Sequence, residues 1–173
     1  GCGFTRPWSI YGWIDGQPAA LTPVGDLERL AEDLAGFLIA LQQVPAEDGP
    51  RAGPHSFGRG GPVSVWDEET RAALDHLGDR IDAQGAHEVW EAALASSWGG
   101  PEVWVHGDMA PSNFLVRDDR LCGVIDFGCS AVGDPACDLT LAWTVFEGES
   151  RRRFMRSVPV HDDTWARARG WAL

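Results

Sequence analysis

One stretch of the chain carries side chains whose types and spacing could perform a reaction. It contains His106, Asp108 and Asn113, and a second acidic residue, Asp126, follows farther along. A carboxylate beside a bound cation can serve as a general base, and amide and carboxylate oxygens together can hold a hard cation. The stretch therefore suits proton abstraction next to a metal ion.

Local sequence predicts a β-hairpin that brings two of these side chains together. Strand-forming runs at 114–116 and 121–125 flank a polar turn. With the turn at its midpoint, Asn113 lies opposite Val124, and Asp126 lies two positions farther on the same strand. Because side chains alternate between the faces of a strand, we expect Asn113 and Asp126 to project from one face, roughly 7–8 Å apart.

The donor types at this end of the hairpin indicate Mg²⁺. Magnesium takes one or two protein oxygens together with substrate phosphates, and Asn113 and Asp126 would supply such a pair. Asp108 stands in a loop bounded by Gly107 and Pro111, where its carboxylate could accept a hydroxyl proton without binding the metal. The predicted chemistry is phosphoryl transfer to an alcohol.

Two other interpretations of the same residues stay open. Each acidic residue could simply cap a turn, because Asp is common at turns. A metal-dependent hydrolase could instead use His106, Asp108 and Asp126 as ligands, although such sites usually have more histidine or carboxylate ligands than this stretch offers. The combination of H-G-D-x-x-x-x-N, a hairpin and I-D-F-G favours phosphoryl transfer over chance.

Composition excludes several classes of function. The chain has 173 residues, enough for one domain, and a formal net charge of −12. So strong a negative charge disfavours binding to nucleic acid and to anionic membrane surfaces, so we expect neither as a partner. Every basic residue is arginine, which excludes Schiff-base chemistry and a phosphate-binding lysine within this sequence.

Cysteine usage and hydropathy predict a cytoplasmic protein. The four cysteines form no C-x-x-C pair and have no histidines at zinc spacing, so we expect them to be reduced. The N-terminus does not resemble a signal peptide, and the longest strongly apolar stretch, 34–41, falls well short of the roughly 20 residues that a membrane helix needs.

Periodicity predicts a mainly helical α+β fold with the small hairpin in its middle. A strand is also expected at 103–105, and a long Gly- and Pro-rich loop at 45–62. Asp134 is expected to be the N-cap of the helix after the hairpin, because Pro follows it. The predicted helices cover 24–44, 67–77, 86–97, 134–146, 150–157 and 164–173, the first with Thr22 and Pro23 as its start signal.

These motifs resemble those of the aminoglycoside phosphotransferases and their choline kinase-like relatives, which share a protein-kinase-like fold. Besides the segments around Asp108 and Asp126, residues 7–16 resemble the hinge between the lobes of that family, and 133–139 resemble its G-D-P-x-x-D-L segment. The resemblance implies a small-molecule kinase that uses ATP or GTP with Mg²⁺ and phosphorylates a small-molecule hydroxyl acceptor.

The resemblance also implies a role for each candidate site residue. Asp108 would be the catalytic base, and Asn113 and Asp126 the Mg²⁺ ligands. Two further sets are implied. Nucleotide-binding residues would be the backbone around Tyr11 and Trp13 and the side chains of Leu115 and Ile125. Structural support would come from His106, which braces the catalytic loop, from Asp134, and from Asp138, which bonds the backbone of that loop.

The sequence departs from this family in having no lysine, whereas a complete member has an N-terminal lobe with a glycine-rich loop and a phosphate-binding lysine. We therefore expect residues 1–16 to be a hinge segment and 17–173 a kinase-like C-terminal lobe truncated at both ends, with the N-terminal lobe absent. Such a fragment would be inactive alone. A non-catalytic kinase-like binding module is the alternative of a different class.

Charge gives the only indication of the acceptor. Acidic residues number 26 against 14 arginines, and this excess would attract polycationic molecules such as aminoglycosides. The same charge also serves solubility, and an amino alcohol, a sugar or a macrolide stays open as an acceptor.

Overall fold

Five strands and six α-helices build the part of the chain that the structure, a computed structural model, describes, which is residues 10–173. The strands are β1 (Gln17–Pro18), β2 (Val103–Val105), β3 (Phe114–Arg117), β4 (Arg120–Val124) and β5 (Ala131–Gly133). The helices are α1 (Leu27–Gln42), α2 (Asp67–Leu77), α3 (Ala83–Leu94), α4 (Leu141–Thr144), α5 (Gly148–Ser157) and α6 (Asp162–Trp171). This architecture confirms the mainly helical α+β class.

The helices lie where periodicity predicted them, with shifted ends. Helix α1 begins at Leu27 because Asp26, rather than Thr22, is the N-cap, and the Asp26 carboxylate accepts the Arg29 amide at 2.9 Å. Helix α3 begins and ends three residues before its predicted bounds, since Asp82 caps it through the Gly85 amide at 3.0 Å. In both places the sequence contains several competing cap signals.

Two small sheets hold the loops that carry the polar residues. One has the strand order β1-β3-β4, and the other pairs β2 with β5, both with antiparallel neighbours. Strand β5 was missed because it has only three residues, Ala131–Gly133, whose sequence carries no alternation. The pairing of Val105 with Ala131 places the segment after β2 beside the segment before β5.

The predicted hairpin is present, but the predicted register differs from the observed one by one residue. Val116 pairs with Leu121 as expected, whereas Leu115 pairs with Gly123, because a bulge leaves Cys122 without a partner. Val124 therefore lies opposite Phe114 instead of Asn113, and the Asn113 carbonyl accepts the Ile125 amide at 2.8 Å. The turn itself, Asp118 and Asp119, has positive φ at both residues, as a tight two-residue hairpin turn requires.

A single large core joins the helices to the hairpin. Helix α1 contributes Leu30, Leu34 and Leu38, each at most 1% exposed, and packs against α5. Phe114 of β3 is fully buried in the same core, so core packing holds the strand that follows Asn113. The segment predicted as one helix over 134–146 is a 3-10 helix, Pro135–Thr140, continued by α4.

Residues 1–9, which include part of the predicted hinge, lie outside the described residues. Residues 10–16 form neither helix nor strand, and Tyr11 and Trp13 are 85% and 91% exposed. Within residues 10–173 the search for a helix long and apolar enough to cross a membrane finds none.

Candidate functional site

The loop after β2 is held by a buried carboxylate. Asp138, 1% exposed, accepts the His106 amide at 2.6 Å and the Gly107 amide at 2.8 Å. Burial raises the pKa of Asp138 above its ordinary value, while the hydrogen bonds from the two amides act in the opposite direction. Asp138 therefore bonds the loop backbone at the point where the family resemblance placed it.

Gly107 lets the loop turn away from β2 directly before Asp108. Its φ is +81°, and a Cβ built there would clash with the carbonyl oxygen of Cys129. Glycine is the residue that tolerates both the left-handed backbone and so close an approach.

His106 is fully buried and links the two halves of the site. Its Nε2 lies 2.9 Å from the Ile125 carbonyl oxygen, and its Nδ1 lies 3.2 Å from the Asp108 amide nitrogen. A carbonyl only accepts and an amide N–H only donates, so Nε2 carries the hydrogen and the ring is neutral. Because both ring nitrogens are occupied, His106 is not available as a metal ligand in this conformation.

Asn113 and Asp108 contact each other directly. The Asn113 Nδ2 donates to the Asp108 carbonyl at 2.9 Å and to Asp108 Oδ2 at 3.0 Å, and the Asn113 Oδ1 accepts the Ser112 hydroxyl at 3.1 Å. Both partners of the nitrogen are acceptors, which fixes the orientation of the amide. Asn113 therefore holds the carboxylate of Asp108 and turns its oxygen away from it.

Asp126 lies two residues after the end of β4 and has a left-handed backbone, φ 64°. In the observed register Asn113 lies opposite Ile125, so these two side chains share a face. Strand alternation alone would therefore place the side chain of Asp126, the next residue, on the opposite face. The left-handed residue breaks the strand alternation at this point. The exposed Asp126 has no side-chain hydrogen bond within residues 10–173, so its carboxylate oxygens are free to bind a cation.

A mainly apolar cleft of about 860 Å³ brings together residues from the hinge segment and the hairpin. Tyr11 and Trp13 line one side, and Leu115, Ile125 and Asp126 line the other. All four residues that the resemblance assigned to nucleotide binding thus share one cavity with one of the two predicted metal ligands. A mainly apolar cleft with one carboxylate in its lining has the chemistry for a base and for metal-bound phosphates.

Asp134 does more than cap the 3-10 helix. Its Oδ1 accepts the Ala136 amide at 3.0 Å, and its Oδ2 lies 2.6 Å from the Arg167 Nε of α6. Both side chains are almost completely buried, and Arg167 also donates to the Ser96 hydroxyl at 3.0 Å and to the Asp163 carbonyl at 3.0 Å. Sequence reasoning missed Arg167, because alternating Ala and Arg in 166–169 gives no sign of which arginine is buried.

The described residues offer little support for a metal site built from several acidic, histidine or cysteine ligands. Within residues 10–173 no group of three or more His, Cys, Asp or Glu residues is placed to hold a metal ion. The hydrolase interpretation needs His106, Asp108 and Asp126 together, and the ring nitrogens of His106 are already bonded. The pair of Asn113 and Asp126, which relies on an amide, does not depend on such a group.

Comparisons with known proteins agree on one family. A model of the "Phosphotransferase enzyme family" matches residues 1–171. The apoenzyme of macrolide 2'-phosphotransferase MphH from Brachybacterium faecium is 22% identical with a TM-score of 0.62, over 95% of this chain and 62% of that chain. A search of curated proteins found no match.

Two aminoglycoside phosphotransferase structures are also similar. The gentamicin complex of APH(2")-IIa is 21% identical with a TM-score of 0.56, over 90% of this chain and 56% of that chain. The ADP-bound APH(2'')-Ib is 22% identical with a TM-score of 0.51, over 91% of this chain and 57% of that chain. At such identities these likenesses show the fold, and this chain spans less than two thirds of each of the three structures.

Proposed function

The chain belongs to the phosphotransferase enzyme family, and we propose that it supplies the catalytic base and the Mg²⁺ ligands of an ATP- or GTP-dependent O-phosphotransferase that acts on a small molecule. The observation that carries the proposal is the contact between Asn113 and Asp108, which His106 links to the segment before Asp126, a residue that lines the apolar cleft. Nucleotide-bound relatives, such as the ADP-bound APH(2'')-Ib, support a nucleotide as the phosphoryl donor.

Each residue has a distinct task in the proposed reaction. Asp108 accepts the proton of the acceptor hydroxyl as its oxygen bonds to the terminal phosphorus and the bond to the leaving phosphate oxygen breaks. Asn113 holds the Asp108 carboxylate in place. Bound Mg²⁺ would neutralise charge on the phosphate oxygens, and Asp126 with the oxygen of Asn113 would hold it.

The acceptor is defined only by class. A hydroxyl-bearing small molecule fits the fold and the relatives, and the aminoglycoside predicted from the net charge stays a prediction. A non-catalytic binding module is the second candidate, because a sequence with no lysine has no side chain of the type that usually contacts the β- and γ-phosphates.

Nucleotide titration followed by NMR of the purified chain tests the proposal. We expect ATP with Mg²⁺ to shift the indole signal of Trp13 and the amide of Ile125, with an affinity at least tenfold higher than that of ATP in the presence of EDTA. Asp126→Asn should abolish the Mg²⁺ effect, whereas Asp75→Asn, an exposed acid on α2, should retain it.

Two results would contradict the proposal. One is nucleotide affinity that is the same with Mg²⁺ and with EDTA, which favours the non-catalytic module. The other is Mg²⁺ binding at Asp126 that is independent of nucleotide, which favours a metal site of another kind.

A further inference from the structure

A second cavity, of about 260 Å³, opens on the catalytic loop at Asp108. It is lined by none of the residues that line the nucleotide cleft, so Asp108 faces a space of its own. The lining contains two hydroxyls, Thr140 and Thr144, and the ring of Trp171. In the proposed reaction this cavity is the place where an acceptor hydroxyl can reach the base.

Arg59 is the other charged side chain that lines this cavity. Its guanidinium lies 5.9 Å from the centre of the Phe57 ring, and none of the ion pairs within residues 10–173 includes it. Burial raises the pKa of the nearby Cys137 thiol, and the positive charge of Arg59 acts in the opposite direction. The guanidinium is thus half-buried, near the cavity wall, and without a carboxylate partner in the described chain.

The loop that carries Arg59 is fixed in place. The fully buried Ser56 hydroxyl donates to the Arg59 carbonyl at 2.9 Å, and the next carbonyl, that of Gly60, accepts the Asp134 amide at 2.7 Å. Gly58 and Gly60 both have positive φ, at 74° and 85°, so the turn needs glycine on each side of Arg59. The backbone of this loop is therefore already ordered, so that binding of a ligand by Arg59 costs little further backbone entropy.

The charge of Arg59 at the cavity and the net charge of the whole chain favour different kinds of acceptor. The net charge of −12 attracts cations from solution, but that attraction is screened beyond roughly 10 Å at 0.1 M salt. The small cavity is lined by one acidic side chain, Asp108, and one basic side chain, Arg59, and a cation next to Arg59 would be repelled at short range, where screening is weaker. Arg59 with its planar set of donors is well suited to a carboxylate.

We propose, on the basis of the proposed function, that the acceptor is a hydroxy acid whose carboxylate binds Arg59 while its hydroxyl faces Asp108. Asp108 and Arg59 would then recognise the two ends of one molecule. The acceptor would be an anionic hydroxyl compound rather than a polycation.

Three sugars that differ in charge provide the test. Glucuronate is anionic, glucose is neutral and glucosamine is cationic, and each is titrated to 50 mM into the full chain while amide signals of Gly107 and Thr140 are followed. We expect affinity to fall in the order glucuronate, glucose, glucosamine. Arg59→Met should weaken glucuronate at least tenfold, since a charge-assisted hydrogen bond is lost, and should leave glucose within about twofold.

Arg29→Met is the matched control, because Arg29 is an exposed arginine outside the cavity and its removal changes the net charge equally. It should leave all three affinities at the values of the unsubstituted chain. Arg59→Glu should reverse the order, with glucosamine binding more tightly than glucuronate.

Three outcomes would overturn the proposal: no glucuronate-dependent shift at 50 mM, glucosamine binding at least as tightly as glucuronate, or equal effects of Arg59→Met and Arg29→Met. Nucleotide titration of the same samples separates this failure from that of the proposed function. If any of these outcomes occurs while Mg²⁺-dependent nucleotide binding is retained, the proposal of an anionic acceptor is wrong and the proposed function still stands.

Discussion

The Asn113 amide nitrogen lies 3.0 Å from Oδ2 of Asp108, so the two oxygens of that carboxylate are not equivalent. Oδ2 is occupied by a donor, whereas Oδ1 has no hydrogen-bond partner within residues 10–173. The free oxygen is the one that can receive a proton from an acceptor hydroxyl. Asn113 thus fixes which oxygen of Asp108 is presented to the cavity.

Replacing Asp108 tests the base directly. Asp108→Asn keeps the shape of the side chain but cannot accept a proton, so phosphoryl transfer should fall at least ~100-fold. Nucleotide affinity should change little, because Asp108 does not line the nucleotide cleft. Transfer is measured in a protein in which this chain is joined to an N-terminal lobe, and turnover near the original value would remove Asp108 from the mechanism.

Replacing Asp126 should affect binding as well as turnover. Asp126→Ala removes a metal ligand, so calorimetry should show weaker ATP binding in Mg²⁺ but unchanged ATP binding in EDTA. Asp79→Ala, at another exposed acid, is the control. An unchanged affinity for Mg²⁺ and ATP together would show that the metal does not bind at Asp126.

Two glycine-to-alanine substitutions should change the free energy of unfolding in opposite directions. Gly107→Ala forces a side chain into a left-handed backbone and against the Cys129 carbonyl, and should cost at least about 1–2 kcal/mol of unfolding free energy. Gly36→Ala lies in α1 with no atom near the new Cβ, and should stabilise by about 0.5–1 kcal/mol. Urea unfolding of both variants measures the difference, and a Gly107→Ala variant as stable as the original would contradict the strained conformation.

Both partners of the buried ion pair, Asp134 and Arg167, should contribute to the free energy of unfolding. Arg167→Met leaves a buried carboxylate unpaired and should cost about 3–5 kcal/mol, since the charge can no longer be compensated. The double variant Asp134→Asn with Arg167→Met removes both charges and should be more stable than the single Arg167→Met variant. Additive losses in the double variant, measured by urea unfolding, would mean that the two residues act independently.

Acid should weaken the link between α1 and the hairpin. The side-chain hydrogen bond from Arg120 lowers the pKa of Asp33 below its ordinary value, so between that lowered pKa and about 3.9 the unfolded chain binds more protons than the folded one. The contribution of ionised Asp33 to the free energy of unfolding is present above about pH 4 and is lost as the pH falls through the lowered pKa of the folded protein. Asp33→Asn should therefore flatten the fall in unfolding free energy from pH 5 to pH 3, and parallel curves for both proteins would contradict this.

How far the sequence predicted the structure depended on the range over which each signal acts. Helix α2 was predicted at its observed bounds, 67–77, because acidic first-turn residues and apolar periodicity agree locally. The hairpin was also predicted, but the bulge at Cys122 was not, although the adjacent Gly123 is a residue type that often marks a bulge. That one residue changed the partner of Asn113.

Side-chain partners were the part that the sequence could not show. Asn113 and Asp108 are close in sequence, but the sequence indicated Asn113 only as a metal ligand and not as a hydrogen-bond donor to Asp108. Arg167 binds Asp134 across the chain, and Arg59 reaches the cavity of Asp108 from a loop whose composition is uninformative. Such pairings are set by tertiary packing, which a single sequence does not encode in its local patterns.

The junction at Asp134 also has a consequence for the order in which the molecule matures. Asp134 binds the carbonyl of Gly60 on one side and Arg167 on the other, so segments far apart in the chain meet at one point. A ribosome releases Gly60 long before Arg167, and domains generally form as their last segments emerge. The junction that holds the Arg59 loop is therefore complete only when nearly the whole described chain has been synthesised, and until then the buried Asp134 lacks its charged partner.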